Sequence, residues 1–441
     1  MSQAPDIRRS AGSLPDPGRP PGTPDEAMPF DHLVVVMMEN HSFDNLVGSL
    51  AATRSDVDGL SFGPDGVAAN ANPGSAGTPP RVGSFPLSTT AQATHVSQSW
   101  TATHEQIDGG LMDGFVRSVD SIEPMGYYTP AVLPFAHSLA ATFTLANRWF
   151  CSVPGPTYPN RRFLLAGTAY GLTVTSAASL LDPPPPNGTI VDRLSEHGIG
   201  WADYFTDVPM TIVIRSILER HLDHHHGIDR FFEDCRDGAL PAVSFVDPGL
   251  GVLSSVASHL ATLPELFRDA LRSIGVNVDA PPDGQTEEDP QDMYFGEAWA
   301  QTIVAALLRS PCWPRTLLIY TYDEHGGYYD HVAPPAAIAP DAIAPQLAPG
   351  DPPGGYDRYG PRVPALVVSP YCRPAAVTTV VHDHTSVLAT IEAKWNLPAL
   401  TDRDANAASV MDFLDTESAP WLTPPVPAAP APTGPSGPVS R

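Results

Sequence analysis

Two pairs of adjacent polar residues, Glu39-Asn40 and Asp323-Glu324, each follow an apolar run, LVVVMM and TLLIYTY. Brought together, the four side chains would present almost nothing but oxygen. Converging carboxylates repel one another and call for a cation between them. An oxygen-rich donor set favours Ca²⁺, Mg²⁺ or Mn²⁺ over Zn²⁺. A cation does chemistry only beside a reacting group, and the best candidate is Thr157 in VPGPTYPNRR. Pro159, two residues on, marks a first helical turn, so Thr157 falls at or just before a helix N-terminus. Free N–H groups and the helix dipole favour an anion there. Coordination to a metal would make the threonine alkoxide accessible. Taken singly, Thr157 also reads as an ordinary N-cap, and each acidic residue as a turn former.

The elements that must position these groups are legible as short apolar runs. Leu33 to Met38 and Thr316 to Tyr322 show no polar alternation, the pattern of strands covered on both faces. Pro364 to Ser369 and Ala242 to Val246 look alike, the latter followed by Asp247. Helical periodicity runs through Glu297 to Leu308 and Asp383 to Trp395. Strands alternating with helices predict an α/β fold with a doubly wound, mostly parallel central sheet flanked by helices. In such sheets ligands bind beyond the carboxyl ends of the strands, where both polar pairs and Asp247 fall.

The chain has 441 residues, with 24 Lys plus Arg against 49 Asp plus Glu, a net charge of −25. That balance argues against nucleic acid and against polybasic docking on anionic lipid. At 42% hydrophobic and 17% charged, the chain can bury a large core. Its four cysteines are far apart and read as buried free thiols. No apolar run approaches the roughly 18–20 residues of a membrane span. The N-terminal stretch has no apolar segment after its arginines, so no signal peptide is readable. A cytoplasmic location is the expectation. Residues 1–30 and the Pro/Ala-rich 416–441 read as a disordered leader and tail around a catalytic domain at 31–415. The Pro-rich stretch Pro334 to Gly355 reads as a long surface loop or lid.

The segments HLVVVMMENHSFDNLVG, PGPTYPNRRFLLAGT, YTYDEHGGYYDHVAPP, YGPRVPALVVSPY and HDHTSVLATIEAKWNLPALTDRDA occur in that order. Together they resemble the phosphoesterase family of bacterial phospholipases C and acid phosphatases, to which plant non-specific phospholipases C are similar. The resemblance extends from about Asp31 to Asp412. It implies an alkaline-phosphatase-like fold and a phosphate-ester or phospholipid substrate, and it keeps export, as in many relatives, as the alternative to a cytoplasmic location. By the same resemblance Glu39, Asn40, Thr157, Asp323 and Glu324 hold the metal, and Thr157 is the nucleophile that becomes phosphorylated. Asn160 and His331 lie near the phosphate, and His384 assists the leaving group or the incoming water.

Two positions depart from the family pattern. Gln98 and Asp289 stand where many relatives carry histidines. A carboxylate at Asp289 would repel an anionic substrate. The run His224 to His226 reads as a solvated polar turn, and His41 and His325 flank the two polar pairs. Phospholipase-C-like diester cleavage is the leading expectation. The alternatives are phosphomonoester hydrolysis and an impaired member of the fold that binds ions without turnover. A sulfatase is disfavoured because Cys151 is followed by SVPG rather than a C-x-P-x-R motif.

Overall fold

The computed structural model describes residues 6–92, 94–249, 259–260, 262–279, 287 and 290–431. An eight-stranded sheet forms the centre. In chain order its strands are β1 (His32–Met38), β2 (Thr144–Ala146), β3 (Trp201–Phe205), β4 (His225–Gly227), β5 (Val243–Asp247), β6 (Thr316–Tyr322), β7 (Ala365–Val368) and β8 (Val377–Thr378). Their spatial order is β8-β2-β7-β6-β1-β5-β3-β4. The run β6-β1-β5-β3-β4 is wholly parallel, and β7 is antiparallel to both its neighbours. Residues 33–38 and 316–322 are buried along their whole length, as uninterrupted apolar runs require when helices cover both faces. The expected α/β architecture is therefore present, with one reversed strand at the position of PALVVS.

The register between the two central strands does the positioning. His32 pairs with Thr316 and Met38 with Tyr322, so β1 and β6 end level with each other. Their next residues, Glu39 and Asp323, leave the sheet side by side. Asp247 closes β5, the neighbour on the other side of β1.

The helix Met293–Arg309 begins under a cap from Asp292 and buries Gly296, Ala300, Ile303, Val304 and Leu307. Thr385–Trp395 is buried almost throughout and ends at Asn396 in the left-handed region. No helix among the described residues is long and apolar enough to cross a membrane.

Residues 6–30 run as an irregular stretch along the domain. This stretch forms almost no regular structure, but side chains satisfy its backbone instead. Asn396 Nδ2 donates to the carbonyls of Asp16 and Arg19 at 3.0 and 2.7 Å, and Arg8 N–H donates to Asn406 Oδ1 at 2.7 Å. The tail is likewise held in part. Trp313 Nε1 donates to Trp421 O at 2.8 Å, and Trp421 N–H to Pro370 O at 3.1 Å. Residues 432–441 lie outside the described residues. All four cysteines are buried and unbridged.

Candidate active site

The two polar pairs are knitted together by backbone geometry. Asp323 N–H donates to Met38 O at 3.1 Å, and Asp323 Oδ1 accepts from Asn40 N–H at 3.2 Å and Glu324 N–H at 2.8 Å. Gly326 adopts a positive φ of 63° and packs so closely that a Cβ there would lie 1.9 Å from Asn40 O. Only glycine meets both demands. Asn40 itself has φ 68°, a strained position for a residue with a Cβ.

Sequence reasoning missed the cation at the centre of this arc. Arg161, 2% exposed, sets Nε 3.0 Å from Asp323 Oδ2, Nη2 3.6 Å from Glu39 Oε1 and Nη1 4.0 Å from Asp247 Oδ1. Burial opposes its charge, yet Asp323, Glu39 and Asp247 together raise its pKa. Asp247 is pushed well above the usual carboxylate range by burial and by Asp203. The signal was available in the sequence: Arg161 lies four residues after Thr157, on the same face if the segment is helical.

That segment is the helix Thr157–Ala166. Thr157 opens it and lines a cavity of about 660 Å³ together with His95, Gln98, Trp100, Thr175 and Asp351. One turn deeper, Arg161 enters the acidic arc. Thr157 thus lines the cavity, and the helix it opens carries Arg161 to Glu39 and Asp323, which with Asn40 and Glu324 are 0–3% exposed. The Pro-rich loop lends Ala348 and Asp351 to the cavity wall and is fastened there rather than free. Thr101 Oγ1 donates to Asp351 Oδ1 at 2.8 Å, and Trp100 Nε1 to Pro352 O at 3.0 Å.

Several expected site residues have other partners. Asn160 does not face the cavity. Its Nδ2 donates to Gly155 O at 2.9 Å and Pro156 O at 3.1 Å, and its Oδ1 accepts from Val153 N–H at 3.2 Å, so it shapes the loop that presents Thr157. His384 Nε2 lies 2.7 Å from Asp323 O, a pure acceptor, so that nitrogen carries the proton. Burial lowers the pKa of His384, and the neutral ring braces the Asp323 backbone. His331 is engaged by two carboxylates, Nδ1 to Asp44 at 2.6 Å and Nε2 to Asp58 at 3.3 Å. Burial disfavours its charge, but Asp44 and Asp330 outweigh that and hold its pKa up at about 9.

His41 bonds Asn45 and the Glu287 carbonyl, and His325, lowered to about 3 by burial, bonds Gln106. The solvated turn expected at His224 to His226 is corrected: His225 and His226 belong to β4, His225 is buried against Thr211, and His224 stacks on Trp201 at 4.3 Å. Gln98 lines the cavity, and Asp289 lies outside the described residues.

Arg161 already stands between Glu39 and Asp323, and the fit of the arc to an added hard cation rests on Asn40 and on the oxygen character of its neighbours. Neither Oδ1 nor Nδ2 of Asn40 has a hydrogen-bond partner, although the residue is 1% exposed. Leaving such a group unpaired costs about 1–3 kcal/mol unless a ligand completes it. Glu39, Asn40, Thr157, Asp323 and Glu324 supply only oxygen as donors to a cation. Another cluster, Asp44, Asp330 and His331, has ligand atoms all within 4.8 Å of one another, but the Arg362 guanidinium already lies 2.9 Å from Asp330 and 3.2 Å from Asp44.

The model of the phosphoesterase family matches residues 30–398, most of the chain and every strand of the sheet. The chain belongs to the phosphoesterase family. This phosphoesterase is 30% identical to non-specific phospholipase C1 of Arabidopsis thaliana, over 89% of this chain and 72% of that one. It is 27% identical to phospholipase C B of Mycobacterium tuberculosis strain H37Rv, over 97% of this chain and 83% of the relative. Among solved structures, a protein in the alkaline phosphatase superfamily from Vibrio parahaemolyticus matches 81% of this chain and 77% of its own, at 13% identity and a TM-score of 0.32. With membership established, the chain is a hydrolase acting on phosphate esters.

Proposed function

We propose that this phosphoesterase cleaves phospholipid-type phosphodiesters in the manner of a phospholipase C, with Thr157 Oγ1 as nucleophile. The observation that carries the reading is the double membership of Thr157: it lines the cavity and heads the helix whose next turn reaches the acidic arc. Glu39, Asn40, Thr157, Asp323 and Glu324 would hold a divalent cation, Ca²⁺, Mg²⁺ or Mn²⁺ by their oxygen character. When bound, the ion would lower the hydroxyl pKa and offset charge on the phosphoryl oxygens.

The chain's own residues account for the rest. Arg161 keeps Asp323 and Glu39 apart and oriented, His384 fixes the Asp323 backbone, and Asn160 fixes the approach to Thr157. Thr157 Oγ1 attacks phosphorus, the bond to one alcohol oxygen breaks and that alcohol leaves, and a threonine phosphodiester that still carries the second alcohol forms. Hydrolysis of its threonine ester bond by water releases the phosphomonoester and restores the hydroxyl. His95 is the one imidazole on the described cavity wall and is the candidate to protonate the leaving oxygen.

Charge supports the diester. A phosphomonoester carries about −1.5 to −2 at neutral pH, whereas a diester carries one negative charge. The described cavity wall holds a carboxylate, Asp351, and no Lys or Arg. Gln98 favours a second reading, an impaired member that binds without turnover, because an amide replaces a titratable ring there. Purified protein should hydrolyse a chromogenic phosphodiester faster than the matching monoester, lose activity with chelator, and lose it in Thr157→Ala. A folded, metal-loaded protein with no turnover of either ester would favour the binding reading.

A further inference from the structure

The two loops that carry the polar pairs are fastened a second time, beyond the acidic arc. One leaves β1 and runs from Glu39 through Asp44. The other leaves β6 and runs from Asp323 through His331. Ser42 Oγ donates to Tyr329 O at 2.6 Å, Asp44 N–H to Asp330 Oδ2 at 3.3 Å, and His331 N–H to Asp44 Oδ2 at 2.8 Å. Both loops then converge on one guanidinium. Arg362 sets Nε 2.9 Å from Asp330 Oδ1, and Nη2 3.0 Å from Asp330 Oδ2 and 3.2 Å from Asp44 Oδ1. Its Nη1 donates to the carbonyls of Asp58 and Asn147 at 2.8 and 2.9 Å. Arg362, Asp44 and Asp330 are 0–1% exposed.

We propose that Arg362 is a positioning residue: by gripping Asp44 and Asp330 it sets the separation of the Glu39-Asn40 and Asp323-Glu324 loops, and through that separation the affinity of the cation site. The inference rests on the metal reading above. The mechanism is electrostatic. Asp44 and Asp330 are buried carboxylates close enough to share one guanidinium, and without it they repel across the junction of the two loops. His331 compensates in part from the same end of the junction. The displacement runs back along chains only four to seven residues long, from Asp44 to Asn40 and Glu39 and from Asp330 to Glu324 and Asp323. A planar fork that meets both oxygens of one carboxylate and one of the other fixes distance and angle together, which an ammonium does not.

The test uses full-length protein stripped of metal and titrated with Mn²⁺ by calorimetry, with unfolding followed by circular dichroism. In Arg362→Gln the Mn²⁺ affinity is expected to fall about 10- to 100-fold, the range for residues that orient ligands from behind. Arg362→Lys should fall between Gln and wild type, because it keeps the charge but not the fork. A purely structural role would lower the melting temperature and leave the affinity of the folded protein unchanged. If Arg362→Gln does not fold, Arg362→Lys carries the test alone, with a smaller loss in the same direction. A folded variant of either kind that binds Mn²⁺ as wild type does overturns the proposal and leaves the metal reading standing. Wild-type protein that takes up no divalent ion overturns both.

Discussion

Replacing Arg161 with methionine removes a guanidinium that touches Glu39, Asp247 and Asp323. The side chain is 2% exposed and its three carboxylate partners lie at 3.0, 3.6 and 4.0 Å. At an effective dielectric of about 20, a contact of 3.0 Å is worth roughly 5 kcal/mol in gross Coulomb energy, much of it cancelled by desolvation. Breaking a buried pair by deleting one partner typically costs about 3–5 kcal/mol, because the other charge is left uncompensated. For 441 residues, an unfolding entropy of about 2.1 cal/mol/K per residue gives roughly 0.9 kcal/mol/K, so the metal-free variant should melt about 3–5 °C below wild type. Divalent ions should then recover more stability in the variant than in wild type, since the carboxylates have lost their resident cation. Differential scanning calorimetry with chelator and with added Mn²⁺ reads both effects. A metal-free Arg161→Met protein that melts with wild type would refute the view that this arginine offsets the arc.

Three further outcomes are expected. Asp323→Asn should lower bound metal, by elemental analysis, and turnover in parallel; full occupancy in that variant would contradict its assignment as a ligand. Gly326→Ala should lose metal and activity while the sheet stays folded, because the new Cβ meets Asn40 O at a backbone angle that favours glycine; wild-type kinetics would rule out this close approach. The third outcome concerns pH. Burial raises Glu287 to about 8, opposed by Tyr322 and reinforced by Glu297. The folded state therefore holds a proton that the unfolded chain releases near its ordinary carboxyl pKa, so stability falls as pH rises from about 4.5 to about 8. Glu287→Gln should flatten that fall in melting temperature, and an unchanged slope would remove Glu287 as its source.

The elements were legible where one physical rule decided them. Runs such as TLLIYTY have a single stable fate in a covered sheet, and Thr316–Tyr322 coincides with the predicted strand. The reversal of Ala365–Val368 was not legible, because an apolar run carries no direction. Recognising Glu39, Asn40, Asp323 and Glu324 as a set depended on residue type at strand ends, which local sequence displays. Assigning partners depended on contacts across the whole chain. His384 meets Asp323 across 61 residues, and Arg362 meets Asp44 across 318. The histidines were visible as titratable groups, but the carboxylates and carbonyls that occupy them were not. In residues 6–30 proline and glycine rule out regular structure, and what the sequence does not display is that asparagine side chains elsewhere bond that backbone.

The proline-rich loop that lends Ala348 and Asp351 to the Thr157 cavity is held there by Thr101 and Trp100, while its first half is bonded to Arg403 and Asp402. None of the strands that present the polar pairs runs through it. Insertions or exchanges in residues 334–355 would therefore reshape what the enzyme admits while leaving the machinery beneath intact. Divergence in substrate choice among close homologues should concentrate there, and transplanting this loop is the most direct route to an altered specificity.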